Sequence, residues 1–153
     1  MAESKHLVVF TIDEQQFALQ LSSVERIVRA VEVTHLPEAP RAVLGVINVE
    51  GRVIPVVNSR RRLGLPEREV EPDDLFIIVN ENDLSLALVA DEVKPVLEIE
   101  EQQVVTSEKM LPGAGMVNGV AKVEDGMIVI LSIAQTLSAE DHHKVSTAID
   151  AIG

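Results

Sequence analysis

Apolar positions along this chain come in short β-branched runs, interrupted at close intervals by acids, glycines and prolines. Residues 7–12 and 16–21 are two such runs around the polar break Asp13-Glu14-Gln15, which predicts a β-hairpin. Residues 75–80 and 85–90 repeat the arrangement, with Glu81-Asn82-Asp83 in the turn. Farther on, Val43 to Val49 and Arg52 to Val57 flank Glu50-Gly51, while Val117 to Val123 and Met127 to Leu131 flank Asp125-Gly126, both tight-turn signals. The segments after the first hairpin of each half, Ser22 to Val28 and Ala90 to Leu97, can open as helical turns. Ser22 and Glu25 have the spacing of a capping box, and Pro95 limits the second segment. Near the end, Ser138-Ala139-Glu140-Asp141 predicts a helix start, followed by Val145, Ala148, Ile149 and Ile152 on one face.

These runs repeat in order. Gly45-Val46-Ile47-Asn48-Val49-Glu50-Gly51-Arg52-Val53-Ile54 recurs from Gly119 to Val129 with one inserted Asp; Leu7-Val8-Val9-Phe10 is echoed by Leu75-Phe76-Ile77-Ile78, and Phe17-Ala18-Leu19 by Leu86-Ala87-Leu88. A nearly constant offset of roughly seventy residues reads as one small β unit used twice. Each half then offers about five short strands in local order, enough for a small closed barrel. The expected fold is mainly all-β: two five-stranded barrels related by internal duplication, with short helices and a C-terminal helix. The expected boundaries are 7–65 and 75–137 for the barrels and 138–152 for the helix, with Gly64 to Asp74 as linker. Exchange of strands between the halves stays open. Gly119 is expected where a side chain cannot enter.

Composition narrows the function. Hydrophobic residues make up 46% of the 153, but aromatics only 2%, so the core must be built from Val, Ile and Leu. Scarce stacking surfaces and a net charge of -12 argue against nucleic acid. The absence of cysteine removes disulfides and thiolate chemistry. Met1 to His6 lacks the apolar run of a signal peptide, and no stretch approaches the ~18 apolar residues of a membrane span, so a cytoplasmic protein without membrane insertion is expected. The charge is uneven: eight arginines and four glutamates between positions 26 and 68 make that window +4. Those arginines are either ordinary solvated surface or a local patch suited to a carboxylate-rich partner.

Candidate chemistry is thin. His6 lies near the start, His35 beside Leu36-Pro37, and His142 and His143 stand adjacent on the terminal helix, about 100° apart, so they cannot share one metal. The glycines from Leu111 to Gly119 lack the Lys-Ser/Thr of a phosphate loop and read as a connector. Asp73-Asp74 and Glu100-Glu101 read as solvated surface. No metal, cofactor or catalytic group is expected.

The ordered series Leu7-Val8-Val9-Phe10, Phe17-Ala18-Leu19, Val24-Glu25-Arg26-Ile27, Leu36-Pro37-Glu38-Ala39-Pro40, Val43-Leu44-Gly45-Val46-Ile47-Asn48 and Gly51 to Arg60 resembles the CheW-like family, the adaptors of bacterial chemosensory arrays. The resemblance runs across nearly the whole chain, 1–153. It implies two SH3-like barrels and an adaptor without enzymatic activity. Its implied partners are the cytoplasmic tip of methyl-accepting chemoreceptors and the regulatory domain of the histidine kinase CheA, with weak self-association in membrane-associated arrays. The partner-binding set it implies is Arg60, Arg62, Asn58, Glu50, Asn48, His35 and Val43. Arg60 and Arg62 are expected beside an apolar groove between the barrels, where Arg60→Glu would leave the fold intact. Two departures stand out. Family members commonly carry Arg where Glu50 stands, and Asp-Leu-Arg where Asn58-Ser59-Arg60 stands. Glu50 points to an adaptor of a separate chemosensory pathway, such as one controlling surface motility, as the alternative. A ligand-binding barrel that uses Arg60, Arg61 and Arg62 on a phosphate lacks the Asp-x-Ser-x-x-Gly motif of such sensors.

Overall fold

The computed structural model describes residues 4–81, 84–106, 116–124, 126–133, 135–137 and 139–152. The expected turn residues Asn82, Asp83 and Asp125, the start of the glycine-containing connector, and the cap at Ser138 lie outside the described residues.

β1 (Ser4–Ile12) and β2 (Gln15–Gln20) form the predicted first hairpin. Ile12 opposes Gln15, so the turn is Asp13-Glu14, both at positive φ as a tight twisted hairpin requires. A 3-10 turn, Leu21–Ser23, leads into β3 (Val24–Arg29). There is no capping box at Ser22 and Glu25, because β-branched Val24, Ile27 and Val28 pair in a sheet instead. β4 (Val43–Val49) and β5 (Arg52–Val57) form the next hairpin, followed by α1 (Ser59–Leu63). The second half contributes β6 (Leu75–Glu81), β7 (Leu84–Ala90), β8 (Glu92–Val93), β9 (Leu97–Glu100), β10 (Val104–Thr106), β11 (Val117–Val123) and β12 (Gly126–Leu131), then α2 (Ala139–Ile152).

The strands sort into two sheets of the same plan. One runs β10-β11-β12-β2-β1, with β8 and β9 both on the far side of β1; the other runs β3-β6-β7-β5-β4. In each, one hairpin joins another through a parallel pair, Ile130 beside Ala18 and Val56 beside Ala87. Both curl round to close. The chain beyond β3 crosses over so that Thr34 bridges Val46 of β4, and the chain beyond β9 crosses through a 3-10 turn, Glu101–Gln103, so that β10 pairs with β11. The result is two SH3-like barrels.

The barrels are not the contiguous segments 7–65 and 75–137. Each lends its opening hairpin to the other: β1-β2 completes the barrel of β8 to β12, and β6-β7 completes the barrel of β3 to β5. Two echoes shift as well. Val49 opposes Arg52 and Val123 opposes Gly126, so the two hairpins are equal in length and no Asp is inserted; Gly126 stands in the place of Arg52. In the opening hairpins, Val9 opposes Ala18 and Ile78 opposes Ala87, which pairs Leu7 with Phe76, not with Leu75. Because strand side chains alternate, this one-residue shift decides which face is buried.

Side chains of alternating parity build three apolar layers. Leu7, Val9, Ala18, Ile99, Ala121, Ile128 and Ile130 fill one barrel. Ile47, Ile54, Val56, Phe76, Ile78 and Ala87 fill the other. Between the barrels lies a third and larger layer, in which Phe10, Ile12, Phe17 and Leu19 meet Ile77, Val79, Leu86 and Leu88. Phe10 and Phe17 oppose each other across the hairpin with ring centroids 6.0 Å apart. At ~1.5–3 kcal/mol for each fully buried large side chain, this shared layer makes the two barrels one folding unit. Val145 of α2 is buried in the same layer, with Ala148 and Ile149 packed against it.

Candidate partner-binding surface

The arginine-rich window folds into internal pairs. Arg26 meets Glu50 at 3.2 Å, Arg61 meets Glu67 at 3.2 Å, and Arg52 donates to both oxygens of Glu25 at 2.9 and 2.8 Å and to Ser85 at 3.0 Å. The bulge in β3 between Val24 and Arg26 turns Glu25 and Arg26 together toward the β4-β5 turn. Glu25 is held below the usual carboxylate range, chiefly by the hydrogen bond from Arg52. Arg29, Arg41 and Arg62 are the members of the window without an ion pair among the described residues, and Arg62 donates to backbone carbonyls instead. The expected anion-facing patch is therefore largely neutralised from within.

Arg60 and Arg62 sit on α1, a helix the hydrophobic pattern does not announce. Asn58 caps it by accepting from the Arg61 amide at 3.2 Å, and Gly64 ends it at φ +70. That Asn-to-Gly spacing is the signal available in the sequence. Arg60 is 12% exposed. It donates to both oxygens of Asp91 at 2.9 Å and lies 3.9 Å from Asp13. Asp91 also accepts from the Asp13 amide and from Arg68, both at 2.8 Å, and its own amide donates to the Thr11 carbonyl. This cluster ties α1 and the linker of one barrel to the β1-β2 turn of the other. Arg62 donates to the carbonyls of Thr136 at 2.7 Å and Gln135 at 2.9 Å, anchoring the segment before α2. Neither arginine stands at an apolar groove between the barrels, because that space is filled by the shared layer.

The linker is pinned too. Arg68 donates to both oxygens of the buried Asp74 at 2.8 and 2.7 Å. Burial pushes the Asp74 carboxyl up, but the Arg68 and Glu71 hydrogen bonds and the nearby guanidinium charges hold it below its ordinary value. Arg68 is pushed up, first by its hydrogen bond to Asp74.

The remaining expected contacts separate. Val43 is buried in the central layer. Asn48 shapes its own turn, its Oδ1 accepting from the Gly51 amide at 2.8 Å. Asn58 also donates to Glu67 at 2.8 Å. Glu50 is exposed at φ +50 in the turn, beside Arg26. His35 is exposed on a groove of the β3–β5 barrel.

What the surface offers instead is aliphatic. Along β3 and its continuation, Val28, Ala30 and Val33 pack against the barrel interior, so Ile27, Arg29 and Val31 face outward. Ile27 is 39% exposed and Val31 48%. The 3-10 turn carrying the exposed Leu21 touches β1 of one barrel and β6 of the other. Ile27 pairs with Ile77 of the shared layer, and exposed Val96 lies on the connection between β8 and β9, which both pair with β1. Sequence reasoning missed this surface because exposed aliphatics look like core until the strand faces are known. A second pair follows the duplication: Val53 and Met127 hold equivalent places beside the two hairpin turns, and both are exposed. Among the described residues, no helix is long and apolar enough to cross a membrane, and no three His, Asp or Glu side chains gather as metal ligands.

The comparisons agree with this architecture. Residues 6–141 match the family described as CheW-like domain. The chemotaxis protein CheW of Treponema pallidum is 26% identical over 150 residues, covering 94% of this chain and 88% of that protein. That of Thermotoga maritima is 31% identical over 124 residues, covering 81% and 82%. The crystal structure of the scaffolding protein TtCheW from Thermoanaerobacter tengcongensis superposes with a TM-score of 0.81 at 30% identity, over 92% of this chain and 96% of that one. With its duplicated, hairpin-exchanged barrels, the chain belongs to the CheW-like family.

Proposed function

We propose that this chain is a non-enzymatic adaptor of a bacterial chemosensory array, coupling the cytoplasmic tips of chemoreceptors to the regulatory domain of the kinase CheA. The observation that carries the reading is the exposure of the large aliphatic side chains Leu21, Ile27 and Val96 on strands and turns next to the shared layer's β1 and β6. A receptor helical hairpin can lay its apolar ridge there, with Arg29 free of an internal pair to meet a carboxylate. Such a contact buries less than ~1,200 Å² and is weak alone; repetition in an array supplies strength through multivalency. The turns bearing Val53 and Met127 offer two equivalent faces to neighbouring barrels, among them a kinase regulatory domain of the same fold. Arg60 and Arg62 act here by positioning the barrels and not by touching the receptor.

Glu50 supports the narrower alternative of a separate pathway, since it reverses the charge common in the family and is satisfied by Arg26 within the chain. Ile27→Asp tests the surface. It should lower co-sedimentation with receptor-containing membranes more than about tenfold while circular dichroism stays native. Unchanged binding by the folded variant removes β3 from the receptor site.

A further inference from the structure

A concave surface lies on the β3–β5 barrel, beyond the end of β3. It is a groove of about 630 Å³ between the segment Ala30–Val33, which follows β3, and the linker residues Glu69–Pro72. Its floor is aliphatic, from Val33, Leu44 and Val70, and its walls carry Glu32, Glu69 and Glu71. Glu32 and Glu69 have no ion pair among the described residues, and Glu71 lies 3.9 Å from Arg68. The backbone gives a second, independent observation. Ala30 donates its N–H to the Asp74 carbonyl and Thr34 exchanges both bonds with Val46, yet Val31, Glu32 and Val33 between them have no backbone hydrogen-bond partner among the described residues. Two anchored ends thus hold a stretch of unpaired, irregular backbone at the edge of an apolar, acid-walled groove.

We infer that this groove binds an extended, basic and aliphatic segment of another protein by strand addition to Val31–Val33. Main-chain bonds to the unpaired groups of Val31–Val33 would supply orientation, as they do wherever a peptide joins a free strand edge. Aliphatic side chains of the segment meet Val33, Leu44 and Val70, and lysines or arginines meet Glu32, Glu69 and Glu71. The net charge of -12 favours approach of such a segment but does not place it; the groove and its unpaired backbone do. The groove is defined by Val31–Val33 and the linker, and the proposed receptor surface by Leu21, Ile27 and Val96, so either reading can fail without the other.

The probe is a fluorescent octapeptide of alternating valine and lysine, compared with the same peptide N-methylated at alternate residues and with a valine–glutamate counterpart. Anisotropy reports affinity, and amide chemical shifts of the folded protein report location. The valine–lysine peptide should bind and shift the amides of Val31, Glu32 and Val33. N-methylation, which keeps the charge but removes strand donors, should weaken it at least about tenfold, and so should the exposed double variant Glu32→Lys/Glu69→Lys. Equal binding of the N-methylated peptide would show attraction to an acidic surface only and overturn the proposal. Shifts confined elsewhere, unchanged affinity in the double variant, or no binding at about 1 mM peptide would overturn it as well.

Discussion

Gly45 shows how much can rest on a missing side chain. A Cβ built there would lie 2.3 Å from the Thr34 carbonyl oxygen and 2.8 Å from Val33 Cγ1. It would force apart the Thr34–Val46 bridge that closes the β3–β5 barrel. Gly45→Ala should therefore cost about 3 kcal/mol, read as a lowered urea midpoint at constant slope; an unchanged midpoint would mean that the bridge is dispensable. Gly119, expected from the sequence to be crowded, takes the same bulged and buried place in β11, opposite Ile130 as Gly45 is opposite Val56. Glycine at this point of the repeat was legible from its recurrence. What it avoids was not, because Thr34 approaches from a segment outside either repeat unit.

At the scale of elements, hairpins and the terminal helix were readable because alternation, turn residues and helical spacing are local signals. The exchange of β1-β2 and β6-β7 between barrels was not, because either partnering buries the same residues and the sequence pattern is identical. α1 escaped for a different reason: with five residues it has too little length for a periodic face, and its evidence lies in Asn58 and Gly64 alone. The linker after it, read from its prolines and acids as a break, is a structural element held by Arg68 and Asp74. Asp74→Asn should lower stability at pH 7 by about 2 kcal/mol. The folded carboxyl lies below its unfolded value of ~3.9, so its contribution is complete above that pH and is lost as the group protonates below it. The wild-type and variant melting temperatures should therefore converge on acidification toward pH 2; a constant gap between them would show that Asp74 acts through packing alone.

For the molecule as a whole, the exchange of hairpins and the shared central layer leave two barrels that cannot separate without opening both. Arg60 fastens the same junction at its polar edge. The position was legible as important through family resemblance, but the sequence could not reveal Asp91 and Asp13 beside it, which give it a part in holding the fold. Arg60→Glu places a third carboxylate against those two and should destabilise the fold by about 3 kcal/mol, whereas the sequence predicts a groove-side arginine whose replacement leaves the fold intact. A native melting temperature in that variant would return Arg60 to the list of free contact residues. Likewise, the seven expected contact residues do not form one surface. Most of them shape turns, cap α1, fill the core or tie elements together, and so prepare the rigid frame from which Leu21, Ile27 and Val96 project.

A rigid two-barrel frame with a separate face for each neighbour is what an adaptor needs, and coupling is the property to measure first. Autophosphorylation of CheA should be followed with receptor-containing membranes, with and without this protein, and with Ile27→Asp in its place. A large rise that requires all three components, and that falls away with Ile27→Asp, is the predicted result. A folded wild-type protein that leaves kinase activity unchanged across receptor and kinase paralogues would contradict the coupling role.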